Sequence, residues 1–177
     1  MDRPESGLHF KAMSLTYRFR DLLLPRENIL EEVGIRPGSH VIDYGCGPGS
    51  YVPIASKLVG PSGKIYALDI HPLAIRSVER ITAKKRLTNV ETIRSDCRTG
   101  LPDDSVDVVL LYDTLHTLGE PDDVLRELHR VLKPGGILSF SDHHMEEDEI
   151  LSKVTKGRLF TLAGKGKRTY SFSKHEQ

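Results

Sequence analysis

The sequence predicts an α/β fold, with a mostly parallel seven-stranded sheet that is covered by helices and ends in an antiparallel β-hairpin. Between residues 39 and 142, short apolar segments typical of buried parallel strands alternate with segments of helical periodicity. Such alternation implies right-handed crossovers and a parallel sheet. After residue 157, two short segments flank the turn 164–167, and this pattern predicts the hairpin.

The first 36 residues predict a helical cap, and residues 37–177 predict the core of the same single domain. From residue 14, apolar side chains recur at helical spacing, Ile29 and Val33 among them, until Gly34 ends the pattern. A chain of 177 residues is long enough to bury one core, and we expect residues 1–177 to form one domain.

Within the core, strand and helix patterns follow each other in a regular order. The predicted strands are 39–44, 64–69, 90–94, 106–112 and 137–142, followed by hairpin strands 158–163 and 168–173. Helices are predicted from about 50 to 59, from Pro72 and from Pro121, because proline suits a first helical turn. The Lys-Pro-Gly-Gly segment 133–136 is predicted to end the last of these helices before the fifth strand.

Composition argues against several classes of partner. Twenty-five basic and 25 acidic residues give a formal net charge of zero, which argues against nucleic-acid binding. Apolar runs are only a few residues long and the N-terminus lacks the layout of a signal peptide, so we expect a cytoplasmic protein without a membrane partner. Two cysteines without zinc-ligand spacing are interpreted as reduced thiols, and no metal site is predicted.

The most informative stretch is residues 41–49, where a short apolar run breaks into three glycines. Gly45, Gly47 and Gly49 predict a tight turn between a strand and a helix, with backbone N–H groups that a ligand can approach. Asp69 follows Gly49 by twenty residues, at the end of the second strand, where an acid can accept both hydroxyls of a ribose. This spacing fits two nucleotide classes, dinucleotides and S-adenosylmethionine.

The stretch Asp43–Gly49 resembles the first motif of the class I S-adenosylmethionine-dependent methyltransferases, in which an acid and one further residue precede Gly-x-Gly-x-Gly. The resemblance covers roughly residues 30 to 175 and implies a Rossmann-like three-layer sandwich. The turn 133–136 is another recurring mark of this family. A terminal hairpin also belongs to the family's seven-stranded sheet and not to a repeated dinucleotide-binding half, which argues against NAD.

The resemblance implies roles for the residues around the methionine portion of the cofactor. The loop from Gly45 to Gly49, with Cys46 and Gly47 inside it, would lie against the methionine portion. Asp43 would help to hold its ammonium group through water.

The resemblance also implies roles at the adenosine portion. Asp69 would bind the ribose, and Ile70 would pack on the adenine. Asp96 would accept a hydrogen bond from the adenine amino group, with the Cys97 backbone beside it. Tyr112 would lie where the end of the fourth strand meets the cofactor and the acceptor.

Three histidines follow the predicted ends of strands four and five, at the carboxyl edge where open α/β sheets bind ligands. His116 is the first candidate for a catalytic base and His143 is its competitor. Because adjacent strand residues point to opposite faces, we expect His143 and His144 to face apart and His144 to be dispensable.

We therefore expect a methyltransferase that transfers a methyl group from S-adenosylmethionine to a small-molecule acceptor and releases S-adenosylhomocysteine. The segment Tyr112–Leu115 departs from the Asn/Asp-Pro-Pro-aromatic signature of the amino-methyltransferases that act on nucleic-acid bases or glutamine. Two alternatives stay open: an NAD(P)-dependent oxidoreductase and a non-catalytic cofactor-binding partner subunit. The oligomeric state also stays open, a homo-oligomer included.

Overall fold

The computed structural model describes residue 7 and residues 27–175, which form a mixed seven-stranded sheet with helices on both faces. The strands are β1 His40–Tyr44, β2 Lys64–Asp69, β3 Val90–Arg94, β4 Val106–Tyr112, β5 Leu132–Ser141, β6 Phe160–Lys165 and β7 Tyr170–Lys174. The helices are α1 Glu27–Val33, α2 Val52–Val59, α3 Pro72–Lys85, α4 Pro121–Val131 and α5 Glu147–Thr155, with 3₁₀ turns at Leu115–Thr117 and Lys156–Arg158.

The strand order confirms the predicted fold class. The sheet has the order β3-β2-β1-β4-β5-β7-β6, in which the first five strands are parallel and β7 is antiparallel to both of its neighbours. From β1 the chain builds towards β3 on one side, and it then returns to build β4 and β5 on the other. The carboxyl ends of β1 and β4 therefore border the crevice in which open α/β sheets bind ligands.

Alternate residues of the central strands are buried against opposite layers. Val41 lies in the same buried cluster as side chains of α1 and α2, whereas Ile42 lies in the cluster that contains side chains of α4 and α5. Helix α3 packs on β2 and β3. The sheet is thus the middle layer of three, which explains why β1 and β4 have near-continuous apolar sequences.

The predicted bounds of β2, β3 and β4 are confirmed, whereas β5 begins earlier than predicted. The Lys-Pro-Gly-Gly segment was expected to be a turn, but it lies inside the strand as a bulge. Val106 pairs with Leu132 and Val108 pairs with Ile137, so the extra residues of β5 loop out between these pairs. Gly135, at φ +74°, permits this bulge, because a residue with a Cβ rarely adopts that conformation.

The hairpin is also confirmed, with its turn two residues later than predicted. Gly164 stays in β6 next to a register shift, and the turn is closed by a hydrogen bond of 2.7 Å from the Gly166 N–H to the Thr169 carbonyl. A carboxylate oxygen of Glu32, on α1, accepts hydrogen bonds from the backbone N–H groups of Arg168 and Thr169.

The described residues include only part of the predicted N-terminal cap of residues 1–36. Helix α1 falls within the predicted cap and is followed by Gly34 at φ +72°, whereas the helix predicted from residue 14 to residue 26 lies outside the described residues. The division into a cap of residues 1–36 and a core of residues 37–177 stays a prediction. In residues 27–175, no helix is both long and apolar enough to span a membrane.

Candidate functional site

The glycine loop joins β1 to α2 at the carboxyl edge of the sheet. Its three glycines have φ values of +75° for Gly45, +50° for Gly47 and +86° for Gly49. The N–H groups of Gly45 and Cys46 both donate to the Leu68 carbonyl, at 2.8 and 3.0 Å, and so attach the loop to β2. The loop geometry is therefore fixed by the neighbouring strand before any ligand binds.

The three glycines differ in what a side chain would meet. A Cβ on Gly45 would lie 2.3 Å from the Thr114 hydroxyl oxygen, and a Cβ on Gly49 would lie 2.9 Å from a Val78 methyl group. A Cβ on Gly47 would have no atom of the described residues within 4 Å. Packing alone thus accounts for Gly45 and Gly49, whereas Gly47 faces the open side of the loop.

Two carboxylates lie beside this loop. Asp43 is buried, and its Oδ2 has no hydrogen-bond partner among the described residues. Burial, and then the charge of Asp69, raise the pKa of Asp43 to about 7. A buried acceptor without a partner is unfavourable in the free protein and would be satisfied by a cationic ligand group such as an ammonium.

Asp69 is half-buried at the end of β2 and is tied to the loop. Its Oδ2 accepts from the Gly47 N–H at 2.9 Å, and its Oδ1 accepts from the His71 N–H at 2.7 Å. Burial raises the pKa of Asp69, against the lowering effect of these two N–H groups. Each carboxylate oxygen has a second lone pair, so Asp69 can still accept from two ribose hydroxyls.

The residues predicted to border the adenine follow β2 and β3. Ile70, after β2, and Asp96 and Cys97, in the segment after β3, are all half-buried. The Tyr44 hydroxyl donates to the Asp96 carbonyl at 3.2 Å, which anchors this segment to the end of β1.

A second anchor of this segment was missed in the sequence. Glu127 Oε1 accepts from both the backbone N–H and the hydroxyl of Thr99, at 2.8 and 2.7 Å. Glu127 is 9% exposed although it is charged. Its position in the apolar stripe of α4, between Leu125 and Leu128, was the available signal.

Tyr112 is placed differently from the other predicted site residues. Its side chain is buried, its hydroxyl lies 2.7 Å from the Ser139 hydroxyl oxygen, and its ring centroid lies 5.0 Å from that of Tyr51. Burial raises the pKa of Tyr112. Its role at the cofactor stays a prediction, and this geometry gives the side chain a packing role beneath the loop.

His116 lies just beyond β4 and pairs with a buried carboxylate. Its Nδ1 is 2.8 Å from Asp142 Oδ2, and the side chain of Asp142 is fully buried. The other Asp142 oxygen accepts from the His144 N–H at 3.1 Å. Asp142 therefore joins the segments that follow β4 and β5.

His143 pairs with a second carboxylate in the same way. Its Nδ1 is 2.5 Å from Asp113 Oδ1. Asp113 has a φ of +48°, and its N–H donates to the Ser141 carbonyl at 2.7 Å, so its position is fixed at the end of the sheet.

The expectation that His143 and His144 face apart is wrong. Their ring centroids are 4.0 Å apart, and the His144 ring is also 4.4 Å from the His116 ring. The physical reason is that β5 ends at Ser141, so strand alternation does not extend to these residues. Among residues 27–175, no group of three or more His, Cys, Asp or Glu side chains is arranged to hold a metal ion.

The seven-stranded order and the terminal hairpin define the fold of a class I S-adenosylmethionine-dependent methyltransferase, and the glycine loop lies beside Asp43 and Asp69 at the carboxyl edge of its sheet. Residues 35–174 match the family model described as "Methyltransferase domain", and the chain belongs to this family. Of the two nucleotide classes that fit the glycine loop, the family thus selects S-adenosylmethionine.

Individual relatives agree with this assignment. The crystal structure of a SAM-dependent methyltransferase from Aquifex aeolicus is 28% identical, covers 98% of this chain and 100% of its own, and superposes with a TM-score of 0.83. A demethylmenaquinone methyltransferase of Geobacillus stearothermophilus is 31% identical over 73% of this chain and 56% of its own length. A ubiquinone/menaquinone biosynthesis C-methyltransferase of Ectopseudomonas mendocina is 32% identical over 77% of this chain and 55% of its own length. The chain thus spans just over half the length of these curated relatives.

Proposed function

We propose that this protein methylates a small-molecule acceptor, with S-adenosylmethionine as donor and His116 as general base. The observation that carries the proposal is the position of the Asp142–His116 pair, just beyond β4, which neighbours the strand that leads into the glycine loop. A proton acceptor and a cofactor cradle then share one edge of the sheet.

The residues of the cofactor edge fit the parts of S-adenosylmethionine. When bound, this cofactor supplies a methyl group on a sulfonium, which is already an activated electrophile. The open side of Gly47 leaves room for the methionine portion beside the loop formed by Gly45, Cys46 and Gly49. The unpartnered oxygen of Asp43 would accept from the ammonium group, directly or through water.

The adenosine portion would extend along the ends of β2 and β3. Asp69 would accept from the ribose hydroxyls, and Ile70 would pack on the adenine. Asp96 would accept from the adenine amino group beside the Cys97 backbone. These positions are supported by the Tyr44 anchor, which holds the segment after β3 at the end of β1.

His116 is oriented for accepting a proton. A carboxylate only accepts hydrogen bonds, so in the neutral ring Nδ1 carries the proton and Nε2 has a free lone pair. The ring is about a quarter exposed, at 27%, and can reach an acceptor in the crevice. Alignment of the acceptor with the methyl group can lower the activation barrier by ~7–11 kcal/mol. A general base lowers the barrier further if the acceptor must lose a proton.

The names of the relatives favour a ring-shaped small molecule as the acceptor. Two of them are named for demethylmenaquinone and for ubiquinone/menaquinone biosynthesis, at about 30% identity. The zero net charge of this chain also fits a small acceptor better than a nucleic acid.

The proposal is tested by isothermal titration with S-adenosylmethionine, S-adenosylhomocysteine and NAD, followed by incubation with labelled S-adenosylmethionine and a fractionated cell extract. We expect binding of the first two ligands, no binding of NAD, and label in a small-molecule fraction. Absence of cofactor binding would refute the assignment. Binding with no labelled product in any fraction would favour a non-catalytic partner subunit instead.

A further inference from the structure

The solvent-facing side of α3 is basic. Arg76, Arg80 and Lys84 follow one another at intervals of four residues, and Lys85 and Arg86 come at the end of the helix. All five side chains are exposed. Residues four apart lie on the same side of a helix, with a rise of about 6 Å between them. Helix α3 therefore presents a line of positive charges to the solvent.

Two arginines beside α3 add to these charges. Arg94 ends β3, Arg98 lies in the segment after it, and both are exposed. Strand β3 is at the edge of the sheet and α3 packs on β2 and β3, so all seven cations lie at the same end of the sheet. We call these seven residues the basic flank. Residues 72–98 contain only three acids, and one of them, Glu91, pairs with Lys64 outside the flank at 3.1 Å.

The basic flank lacks the acids that neutralise cations elsewhere in the molecule. At the other end of the sheet, carboxylates pair with four lysines: Lys153, Lys156, Lys165 and Lys174. Within the described part of the chain, none of the seven cations of the basic flank forms an ion pair. The net charge of zero is therefore an average over an uncompensated positive flank and an excess of acids elsewhere.

The stability of α3 does not account for this arrangement. Lys84 and Lys85 lie in the last turn, where cations compensate the helix dipole. Arg76 and Arg80 lie before that turn. Like charges four residues apart destabilise a helix, and this applies to Arg76 with Arg80 and to Arg80 with Lys84. A charge pattern that the helix does not need indicates a partner outside the chain.

The composition of the basic flank indicates which anionic partner it fits. Five of its seven cations are arginines, whose guanidinium groups bind phosphate through paired hydrogen bonds. Residues 72–98 contain no aromatic side chain on which unpaired bases could stack. Among the described residues, Leu162 is the one exposed large apolar side chain, and it lies on β6 at the other end of the sheet, so a lipid surface would find no apolar anchor at the flank. A double helix requires neither feature, because its phosphates alone supply the attraction.

We propose that the basic flank docks the protein on the phosphate backbone of a double-helical nucleic acid. This docking surface is additional to the proposed function, whose acceptor stays a small molecule. The expectation drawn from net charge concerned the whole chain, whereas a duplex contacts only one flank. Because the backbone phosphates are the same in every sequence, binding is independent of base sequence, and RNA and DNA duplexes are equivalent partners.

The test titrates labelled RNA and DNA duplexes of unrelated sequence with the protein and follows fluorescence anisotropy over a range of salt concentrations. We expect similar affinities for both duplexes and a steep fall with salt. The triple variant Arg76→Gln/Arg80→Gln/Lys84→Gln removes three charges and keeps good helix formers. Its affinity should fall by about ten- to hundredfold, and its slope of log affinity against log salt should decrease by about 2–3, since each phosphate contact contributes ~0.9.

Two further variants control for folding and for net charge. Arg94→Gln/Arg98→Gln leaves α3 unchanged and should decrease the same slope by about 1–2. Lys153→Gln/Lys156→Gln/Lys165→Gln removes three charges at the other end of the sheet and should bind duplexes like wild type.

Several results would overturn the inference. If the lysine variant weakens binding as much as the variants of the basic flank, net charge and not the flank causes the attraction. Absence of duplex binding by wild type at low salt, or tighter binding to single-stranded RNA, would exclude the duplex as the partner. Tighter binding to phosphatidylglycerol vesicles than to duplexes would show a membrane surface instead. The duplex titrations contain no cofactor, so a failure of the proposed function, seen as no binding of S-adenosylmethionine, leaves their outcome unchanged.

Discussion

The three glycines of the loop between β1 and α2 allow a ligand contact to be separated from a packing requirement. Gly45→Ala and Gly47→Ala introduce the same methyl group two residues apart. Both positions have positive φ, at +75° and +50°, so both variants carry the strain of a left-handed residue, about 1–2 kcal/mol. In a chain of this length, each kcal/mol lowers the melting temperature by roughly 2–4 °C.

The expected difference comes from the surroundings of the added carbon. At Gly45 it would lie 2.3 Å from the Thr114 hydroxyl oxygen, so the loop or Thr114 must move and stability falls further, by about 1–3 kcal/mol. At Gly47 it meets no atom of the described residues within 4 Å. Gly47→Ala should therefore lose only the stability due to strain. On the proposed binding mode its methyl group would enter the space of the methionine portion, and affinity should fall by roughly five- to hundredfold, equivalent to about 1–3 kcal/mol.

The assay combines thermal unfolding with titration of S-adenosylhomocysteine for both variants. The double variant Gly45→Ala/Thr114→Ala serves as a control, because removing the clashing hydroxyl should restore part of the stability lost in Gly45→Ala. If Gly47→Ala binds the ligand as tightly as wild type, the open side of Gly47 is not where the ligand lies. In that case the loop is a structural turn only.

Three further predictions concern the carboxylates around the cofactor edge. Asp69→Ala should lower S-adenosylhomocysteine affinity by roughly ten- to hundredfold, since charged hydrogen bonds contribute ~1.5–3 kcal/mol, and unchanged titration of the folded variant would refute its role. The pKa of Asp43 is raised to about 7 in the folded protein, so the stability that its proton contributes is complete below an unfolded pKa of ~3.9 and is lost as pH rises through 7. Over that window ligand affinity should rise, because an ammonium favours the ionised form, and Asp43→Asn should abolish both trends in urea unfolding and titration. Burial alone would raise the pKa of Glu127, but hydrogen bonds from Arg130 and Thr99 outweigh it and lower this pKa to about 2. The stability that ionised Glu127 contributes is therefore present above an unfolded pKa of ~4.3 and is lost as pH falls towards 2. Glu127→Gln should reduce the unfolding free energy at neutral pH by about 1–3 kcal/mol and remove that acid sensitivity, as chemical denaturation at both pH values can show.

Strands whose two faces are both covered were the easiest to predict from the sequence. The bounds of β2, β3 and β4 are as predicted, because continuous apolar runs ended by polar or glycine residues have few alternative interpretations. The start of β5 was missed because its cause is non-local. Lys133 Nζ donates to Asp107 Oδ1 at 2.7 Å, and the pairing with β4 keeps the Lys-Pro-Gly-Gly segment inside the strand. Pairing with β4 thus outweighed the preference of the Lys-Pro-Gly-Gly sequence for a turn.

In the candidate site, too, features that depend on a short stretch of sequence could be predicted and features that depend on distant segments could not. The placement of the glycine loop beside Asp43 and Asp69 was predictable because it follows from backbone geometry within a short stretch and from one fixed spacing, and the roles of these residues at the cofactor stay a prediction. The histidine cluster was not predictable, because its geometry depends on Asp113 and Asp142, two carboxylates that come from different segments. Strand alternation was the wrong rule there, since β5 had already ended.

Different hydrogen bonds hold the two halves of the candidate site, which are the glycine loop with the ends of β1 and β2, and the segments after β4 and β5. The cofactor half is held by bonds within and between β1 and β2, such as the two N–H groups that donate to the Leu68 carbonyl. The acceptor half is held by Asp142, which bridges the segments after β4 and β5 through His116 and the His144 N–H. The two halves meet at Thr114, whose hydroxyl donates to the Tyr44 carbonyl at 3.5 Å and lies against Gly45. A substitution of Thr114 should therefore change the affinity for the methyl donor, whereas His144→Ala, farther from this contact, should change it less, because residues in contact couple more strongly than distant ones.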